Sequence, residues 1–314
     1  AVRSNRRRRA WRTVPYREGN ALDLLEGKRE IGIINDEQAD QLRHWIRHGM
    51  LVLSAAVPAI LLDRAEEELD RAYRGEIPEL RFSCPEVAGD EIIPLKESVT
   101  RLPAKGLDLH WLSPITRDLI FAPKLRQFLE LLFERRLLAS QSLAFLRGSA
   151  QPYHMDTFYV AYSSPIQFAA SWIALEDVTA GGGELAYLER SHKLPEHLLH
   201  GGFKSVWEAQ RMTGRKDQRN LAEEYEARLA DAASTHGLPE KTFLAERGDV
   251  LIWHASLAHG GKPISQHRTR KSIVTHYCPK EIAPLNWEQS GAVLRSYHNL
   301  AWYTTGYYQE NQHR

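Results

Sequence analysis

The arrangement of apolar and polar positions changes along this chain, from helical spacing in the first part to strand-like runs from residue 137 onward. Ala39, Leu42, Trp45 and Ile46 recur on one helix face, between Asn35, whose side chain can cap the first turn, and Gly49, which can end the last. Met50 to Leu53 reads as a short strand. A second helix opens at Pro58, carries Leu61, Leu62, Ala65, Leu69 and Tyr73, and closes at Gly75. Both helices are expected to brace the outside of a sheet. Residues 76–112, punctuated by Pro78, Pro85, Pro94 and Pro103, predict irregular connection with room for one strand. A loop of that length in a compact domain is an expected pocket wall. Pro114 and Pro123 mark two more helix starts, the second bearing Leu125, Phe128, Leu129, Leu132 and Phe133.

Strand signals begin at Leu137 and return in 168–177 and in the apolar run after Gly248-Asp249. In the stretch from Arg270 to Cys278, the alternation of a strand places Arg270, Ser272, Val274 and His276 on one face. Between Leu194 and Ala245 lies a polar insertion with Trp207 and a charged helical run bearing Leu221, Tyr225 and Leu229 on one side. It is expected to be either a lid over a site or an exterior helix packed on the sheet. No repeat or low-complexity linker divides the chain, so residues 1–314 are read as a single domain, with 1–20 a basic tail and 194–245 a lid-like insertion.

Composition narrows the class only modestly. With 314 residues and 43% hydrophobic content the chain can bury a large core, and its formal charge of +1 argues against a general polyanion partner such as nucleic acid. Arg3, Arg6 to Arg9 and Arg12 are a local exception, read first as a solvated tail. Two cysteines, Cys84 and Cys278, indicate no disulfide framework and a reducing cytoplasm. No apolar run approaches a membrane span, and no secretory signal is visible at the start of the sequence.

The chemistry enters with His154-Met155-Asp156 and, about a hundred residues on, His259 followed by Arg270. In a strand, positions i and i+2 share a face, so His154 and Asp156 can converge on one ion, and a distant second histidine completes the set. Two imidazoles and one carboxylate leave three positions of an octahedron open, as non-haem Fe(II) oxygenases require. An isolated His-x-Asp is weak evidence, because such pairs usually only hydrogen-bond. The second segment, Gly248 to Gly261 with Arg268, Arg270 and Ser272 beyond it, raises its weight.

With these segments the chain resembles the phytanoyl-CoA dioxygenase-like family of Fe(II)/2-oxoglutarate oxygenases. There the His-x-Asp, a distal histidine after a Gly-Asp turn, and an Arg-x-Ser eleven residues beyond that histidine recur in this order, and His259 to Arg270 has that spacing. The resemblance is clearest over 137–279 and takes in Trp172 and the stretch from Gly183 to Lys193, although Glu189-Arg190-Ser191-His192 lacks the family's usual Pro-Gly. It implies a mainly β fold with flanking helices, a double-stranded β-helix or jelly-roll barrel of the cupin type. It implies His154, Asp156 and His259 as iron ligands. Arg270 would pair with the distal carboxylate of 2-oxoglutarate, helped by Ser272, with Trp172 bordering the co-substrate and Gln141 touching it. The implied reaction consumes dioxygen, releases succinate and carbon dioxide, and hydroxylates a small-molecule substrate. With Asp156 a carboxylate, hydroxylation is expected over the chlorination of related halogenases.

Alternatives stand beside these assignments. His254 competes with His259, and Arg268 with Arg270. Trp172 is equally a core aromatic and Gln141 a structural amide. His192 reads as a turn residue, and Tyr159, His276 and Trp111 are the substrate-side candidates. Two other classes share the pattern: a cupin-like metal-dependent isomerase or hydrolase without 2-oxoglutarate, and a non-catalytic binding protein on the same barrel.

Overall fold

The protein is described from a computed structural model, which covers residues 20–160, 167–194, 205–214, 218–266, 268–282, 293–298, 300–303 and 308. The arginine-rich start, Trp207's side chain and part of the 194–245 insertion lie outside the described residues.

The helical first part forms as its spacing predicts. After α1 (Ala21–Glu30), Asn35 caps α2 (Asp36–His48) through a reciprocal pair, Gln38 N–H to Asn35 Oδ1 at 2.8 Å and Asn35 N–H to Gln38 Oε1 at 3.0 Å. Gly49, at φ +79°, ends that helix in the left-handed region and turns the chain into β1 (Met50–Leu53). Helix α3 (Ala59–Tyr73) follows. Residues 76–112 differ from expectation. They contribute β2 (Arg81–Ser83), β3 (Ile92–Pro94) and β4 (Lys105–Leu107), strands of three residues each, too short for alternation to reveal.

Helices α4 (Pro114–Ile120) and α5 (Pro123–Phe133) start at their prolines, and β5 (Leu137–Phe145) leads toward the His-x-Asp segment. Then come α6 (Asp156–Tyr159), β6 (Ala169–Ala174), β7 (Leu185–Leu188), α7 (Val206–Thr213), α8 (Gln218–Thr235), β8 (Glu240–Phe243), β9 (Val250–His254), β10 (His259–Gly261), β11 (Ser272–Pro279), β12 (Leu294–Tyr297) and β13 (Leu300–Tyr303).

Two sheets make the jelly-roll. The larger runs β1-β9-β6-β11-β5-β4-β2-β3, with the β12–β13 hairpin joined beside β5, and the smaller runs β10-β7-β8. Alternation sorts the side chains of the large sheet. Val250 and Ile252 of β9 and Ile273 and Tyr277 of β11 join the core beneath the helices, where Leu42, Trp45, Leu69 and Phe128 are buried. Leu251 and Trp253, Trp172 of β6 and Val274 of β11 face the other way and meet Leu185 of the small sheet. Burial of each large apolar side chain contributes roughly 1.5–3 kcal/mol, which is why the sheet holds this register. Among the described residues no helix is long and apolar enough to cross a membrane.

Candidate metal centre

Where the two sheets face each other, His154, Asp156 and His259 offer one ligand atom apiece, all within 4.8 Å of one another and all buried. The route to this convergence is not the expected strand. His154 forms an isolated antiparallel bridge with His259, each backbone N–H reaching the other's carbonyl at 2.9 Å, and Asp156 starts the single turn of α6. A bend therefore replaces the same-face geometry of positions i and i+2. The glycines after His259 permit the approach. A Cβ on Gly260 would stand 2.8 Å from Gln151 O and 3.1 Å from Pro152 C, so only glycine lets β10 lie this close to the His154 loop.

The histidines are oriented by backbone carbonyls. His154 Nδ1 lies 2.8 Å from Pro152 O and His259 Nδ1 2.9 Å from Leu257 O. A carbonyl only accepts, so each Nδ1 carries the proton and each Nε2 presents a lone pair. Those Nε2 atoms stand 3.9 and 3.7 Å from Asp156 Oδ1. Burial, helped by the neighbouring His259, lowers the His154 pKa to about 3, so the ring stays neutral. Burial by itself would raise the Asp156 pKa, yet His259, His276 and His154 outweigh it and hold the carboxyl well below the usual range. Two imidazoles locked by backbone carbonyls and a carboxylate fit a first-row divalent metal such as Fe(II).

A cavity of about 590 Å³ opens from this centre, bordered by both sheets and by Ser83, Glu86, Ile92 and Pro103. The 76–112 stretch thus does wall a pocket. Arg270 lies on the same cavity, 3% exposed. Its Nη1 donates to Gly183 O at 2.6 Å, its Nε has no partner, and no carboxylate pairs with it among the described residues. Burial lowers its pKa to about 10, with Glu184 opposing, which still leaves a cation at neutral pH. Trp172 lies beneath it, 5.6 Å from ring centroid to guanidinium carbon, with an indole N–H that likewise has no partner among the described residues. Two orphaned buried donors on one wall fit an anionic ligand.

Of the other predicted residues, Gln141, His276 and Tyr159 also line the cavity. Gln141 Oε1 lies 3.2 Å from His276 Nδ1, and His276 Nε2 stands 3.5 Å from Asp156 Oδ1. A register shift in the β5–β11 pairing falls between His276 and Tyr277, and such bulges re-aim side chains beside sites.

Several residues are not brought there. Ser272 is buried with its hydroxyl 3.4 Å from Arg270 O and is not on the cavity wall, so its expected help to the co-substrate has no geometric support. Trp111 lies under the Arg295 guanidinium instead, 5.4 Å away, because the β12–β13 hairpin covers it. His254 packs among Trp45 and His192, Arg268 is exposed and reaches Thr179, and His192 sits in a turn near Ile46 O. None of these three lines the cavity.

Sequence reasoning missed Lys105 and Trp253. Lys105 Nζ donates to Gln151 Oε1 at 2.9 Å on the cavity wall, in a segment read as irregular. Trp253 donates its indole N–H to Asp156 Oδ2 at 2.8 Å. Its place two residues after the inward Leu251 was the available signal.

The insertion packs against the turn that carries Asp156. Phe158 of α6 and Tyr225 of α8 stack, and Leu221 and Leu229 bury beside Met155.

The sequence pattern of the phytanoyl-CoA dioxygenase (PhyH) family matches residues 45–272. Peroxisomal phytanoyl-CoA dioxygenase of Homo sapiens is 21% identical over 252 residues, 76% of this chain and 67% of that protein. Phytanoyl-CoA dioxygenase 1 of Oryza sativa subsp. japonica is 25% identical over 195 residues, 59% of this chain and 61% of that protein, so the chain spans less than two thirds of this relative. Among solved structures, the epimerase SnoN in complex with Fe3+, alpha ketoglutarate and nogalamycin RO is similar with a TM-score of 0.56 at 18% identity, over 79% of this chain and 86% of its own. EctD from S. alaskensis with 2-oxoglutarate and 5-hydroxyectoine has a TM-score of 0.53 at 17% identity, over 78% and 76%. At these identities the structural likeness establishes the jelly-roll fold.

Proposed function

We propose an oxidative reaction for this chain, which belongs to the phytanoyl-CoA dioxygenase family: hydroxylation of an unactivated C–H bond in a small-molecule metabolite, dependent on Fe(II), 2-oxoglutarate and dioxygen. The observation that carries this reading is the meeting, on one cavity, of a His, Asp, His set with a buried guanidinium that has no carboxylate partner among the described residues. When bound, iron and 2-oxoglutarate supply the activation of dioxygen, the co-substrate leaving as succinate and carbon dioxide while one oxygen atom enters the substrate.

The chain's residues divide the remaining work. His154, Asp156 and His259 would hold the metal. Arg270 holds the far carboxylate of the co-substrate, with the Trp172 indole bordering it, in a buried setting where a bidentate charge-assisted pair is strong. Gln141 fixes His276, and His276 and Tyr159 face the substrate's side of the cavity. The wall built from 83–103 limits the substrate to a discrete small molecule, and the 194–245 insertion serves as a support of the metal-binding turn within one oxygenase domain. Because Asp156 would supply a carboxylate ligand, hydroxylation is the expected outcome over chlorination. Cys84 and Cys278, both buried and free, fit a reducing cytoplasm.

Anaerobic titration of Fe(II)-loaded protein with 2-oxoglutarate tests the reading through the visible charge-transfer band of the chelate. A saturable band in the wild type, weakened in Arg270→Ala, supports it. Well-folded, iron-bound protein without a band overturns it in favour of a metal enzyme that does not use 2-oxoglutarate.

A further inference from the structure

Resting on the metal site proposed above, we infer that Trp253 is a positioning residue that restricts Asp156 to binding metal through one oxygen. The two oxygens of this carboxylate have different surroundings. Oδ1 faces the Nε2 atoms of His154 and His259, at 3.9 and 3.7 Å. Oδ2 accepts the Trp253 indole N–H at 2.8 Å, a buried hydrogen bond in which both partners are shielded from water. Rotation of the carboxylate to present both oxygens to an ion would break that bond. In a buried place this leaves an indole donor unsatisfied, which disfavours the rotation.

The support of the tryptophan suits this task. Asp156 lies on a single helical turn and His259 on a three-residue strand, short elements with few hydrogen bonds of their own. Trp253 stands in β9, between β1 and β6 in the large sheet, with Met50 and Ala170 as its register partners. It is 1% exposed, and its ring also lies against His259, 4.7 Å between centroids. One side chain of the well-paired sheet thus touches two of the three ligand-bearing residues. It sets the orientation of the carboxylate by a directional bond and the tilt of an imidazole by contact. With Oδ2 engaged by the indole, the Asp156 carboxylate would offer an ion a single oxygen, and Trp253 would fix which one.

Co(II) titration of the metal-free protein, followed by its visible d–d spectrum, tests the inference. Three proteins are compared: wild type, Trp253→Phe, and a form carrying β-(3-benzothienyl)alanine at 253, which keeps the bicyclic shape and lacks the N–H. The expected result is about a tenfold or greater loss of Co(II) affinity and an altered d–d spectrum in both replacements. Affinity and spectrum equal to wild type in the benzothienyl form overturn the inference, whatever the phenylalanine variant shows, since packing alone then accounts for Trp253. Failure of the metal site itself is separable: Asp156→Ala would then bind Co(II) as tightly as wild type.

Discussion

The rings of Phe158 and Tyr225 stack at 4.1 Å between centroids and 22° between planes, joining the inserted helix α8 to the turn that begins with Asp156. Tyr225 is also buried in one cluster with Met155, the residue between His154 and Asp156. The insertion is thereby a buttress of the turn that carries Asp156. Tyr225→Ala removes a large buried ring, so unfolding free energy should fall by about 3 kcal/mol in urea denaturation. Divalent-metal affinity should fall with it, and an unchanged affinity would show that the turn holds its shape without α8.

Removal of a ligand separates binding from folding. His154→Ala or Asp156→Ala should abolish the stabilisation that metal confers on the wild type, about 2.7 kcal/mol at a metal concentration a hundred times Kd. Differential scanning calorimetry with and without Mn(II) or Co(II) reads this directly. A variant still raised in Tm by metal to the wild-type extent would remove these residues from the site.

Arg270 is a buried charge without an ion-pair partner among the described residues, which is costly in the ligand-free protein. Arg270→Met should therefore leave the ligand-free Tm equal or higher, by up to about 2 kcal/mol of stability, while 2-oxoglutarate no longer protects against unfolding. Loss of stability in the absence of ligand would instead mark the guanidinium as part of the scaffold, through its bond to Gly183 O.

Gly260 tests the close approach of the two segments that carry His154 and His259. In Gly260→Ala the new Cβ would meet Gln151 O at 2.8 Å, backbone that cannot swing aside, so β10 and the His154 loop must separate. A destabilisation of roughly 1–3 kcal/mol is expected together with weaker metal binding, measured by isothermal titration. Wild-type metal affinity in this variant would mean that the loop adjusts freely.

Stability of the metal-free protein should depend on pH through its buried histidines. His154 titrates near 6.5 when unfolded and about 3 when folded, because burial disfavours the charged ring. The unfolded chain therefore takes up the proton first. Stability from this residue is intact above pH 6.5 and falls as pH drops toward 3, at about 1.4 kcal/mol per pH unit. His110, lowered in the same direction by burial and wedged between Ser142 Oγ and Tyr303 O, adds a loss of the same sign. Urea midpoints at pH 7, 6 and 5 measure the slope, and a flat profile would contradict it.

Local physics made much of this protein legible from its sequence. Asn35, Gly49, Pro58, Pro114 and Pro123 act within a turn of their own backbone, and the helices begin or end there accordingly. Alternation on β11 needed only the pleat, and it put Val274 and His276 on the cavity face. The candidate ligand set that the fold brings together was readable because His154-x-Asp156 and His259 before two glycines are compact patterns of donor types. What depended on distant partners was not readable. Strands of three residues such as β2 and β4 exist only through pairing, Ser83 against Lys105 and Gly106 against Ala144. Trp111 and Ser272 carried the right chemistry in the sequence, and packing put one under the β12–β13 hairpin and the other away from the cavity wall. The bond from Trp253 to Asp156 spans 97 residues, and no spacing rule encodes it, because a hydrogen bond across a barrel is decided by how two sheets pack and not by the residues between its ends.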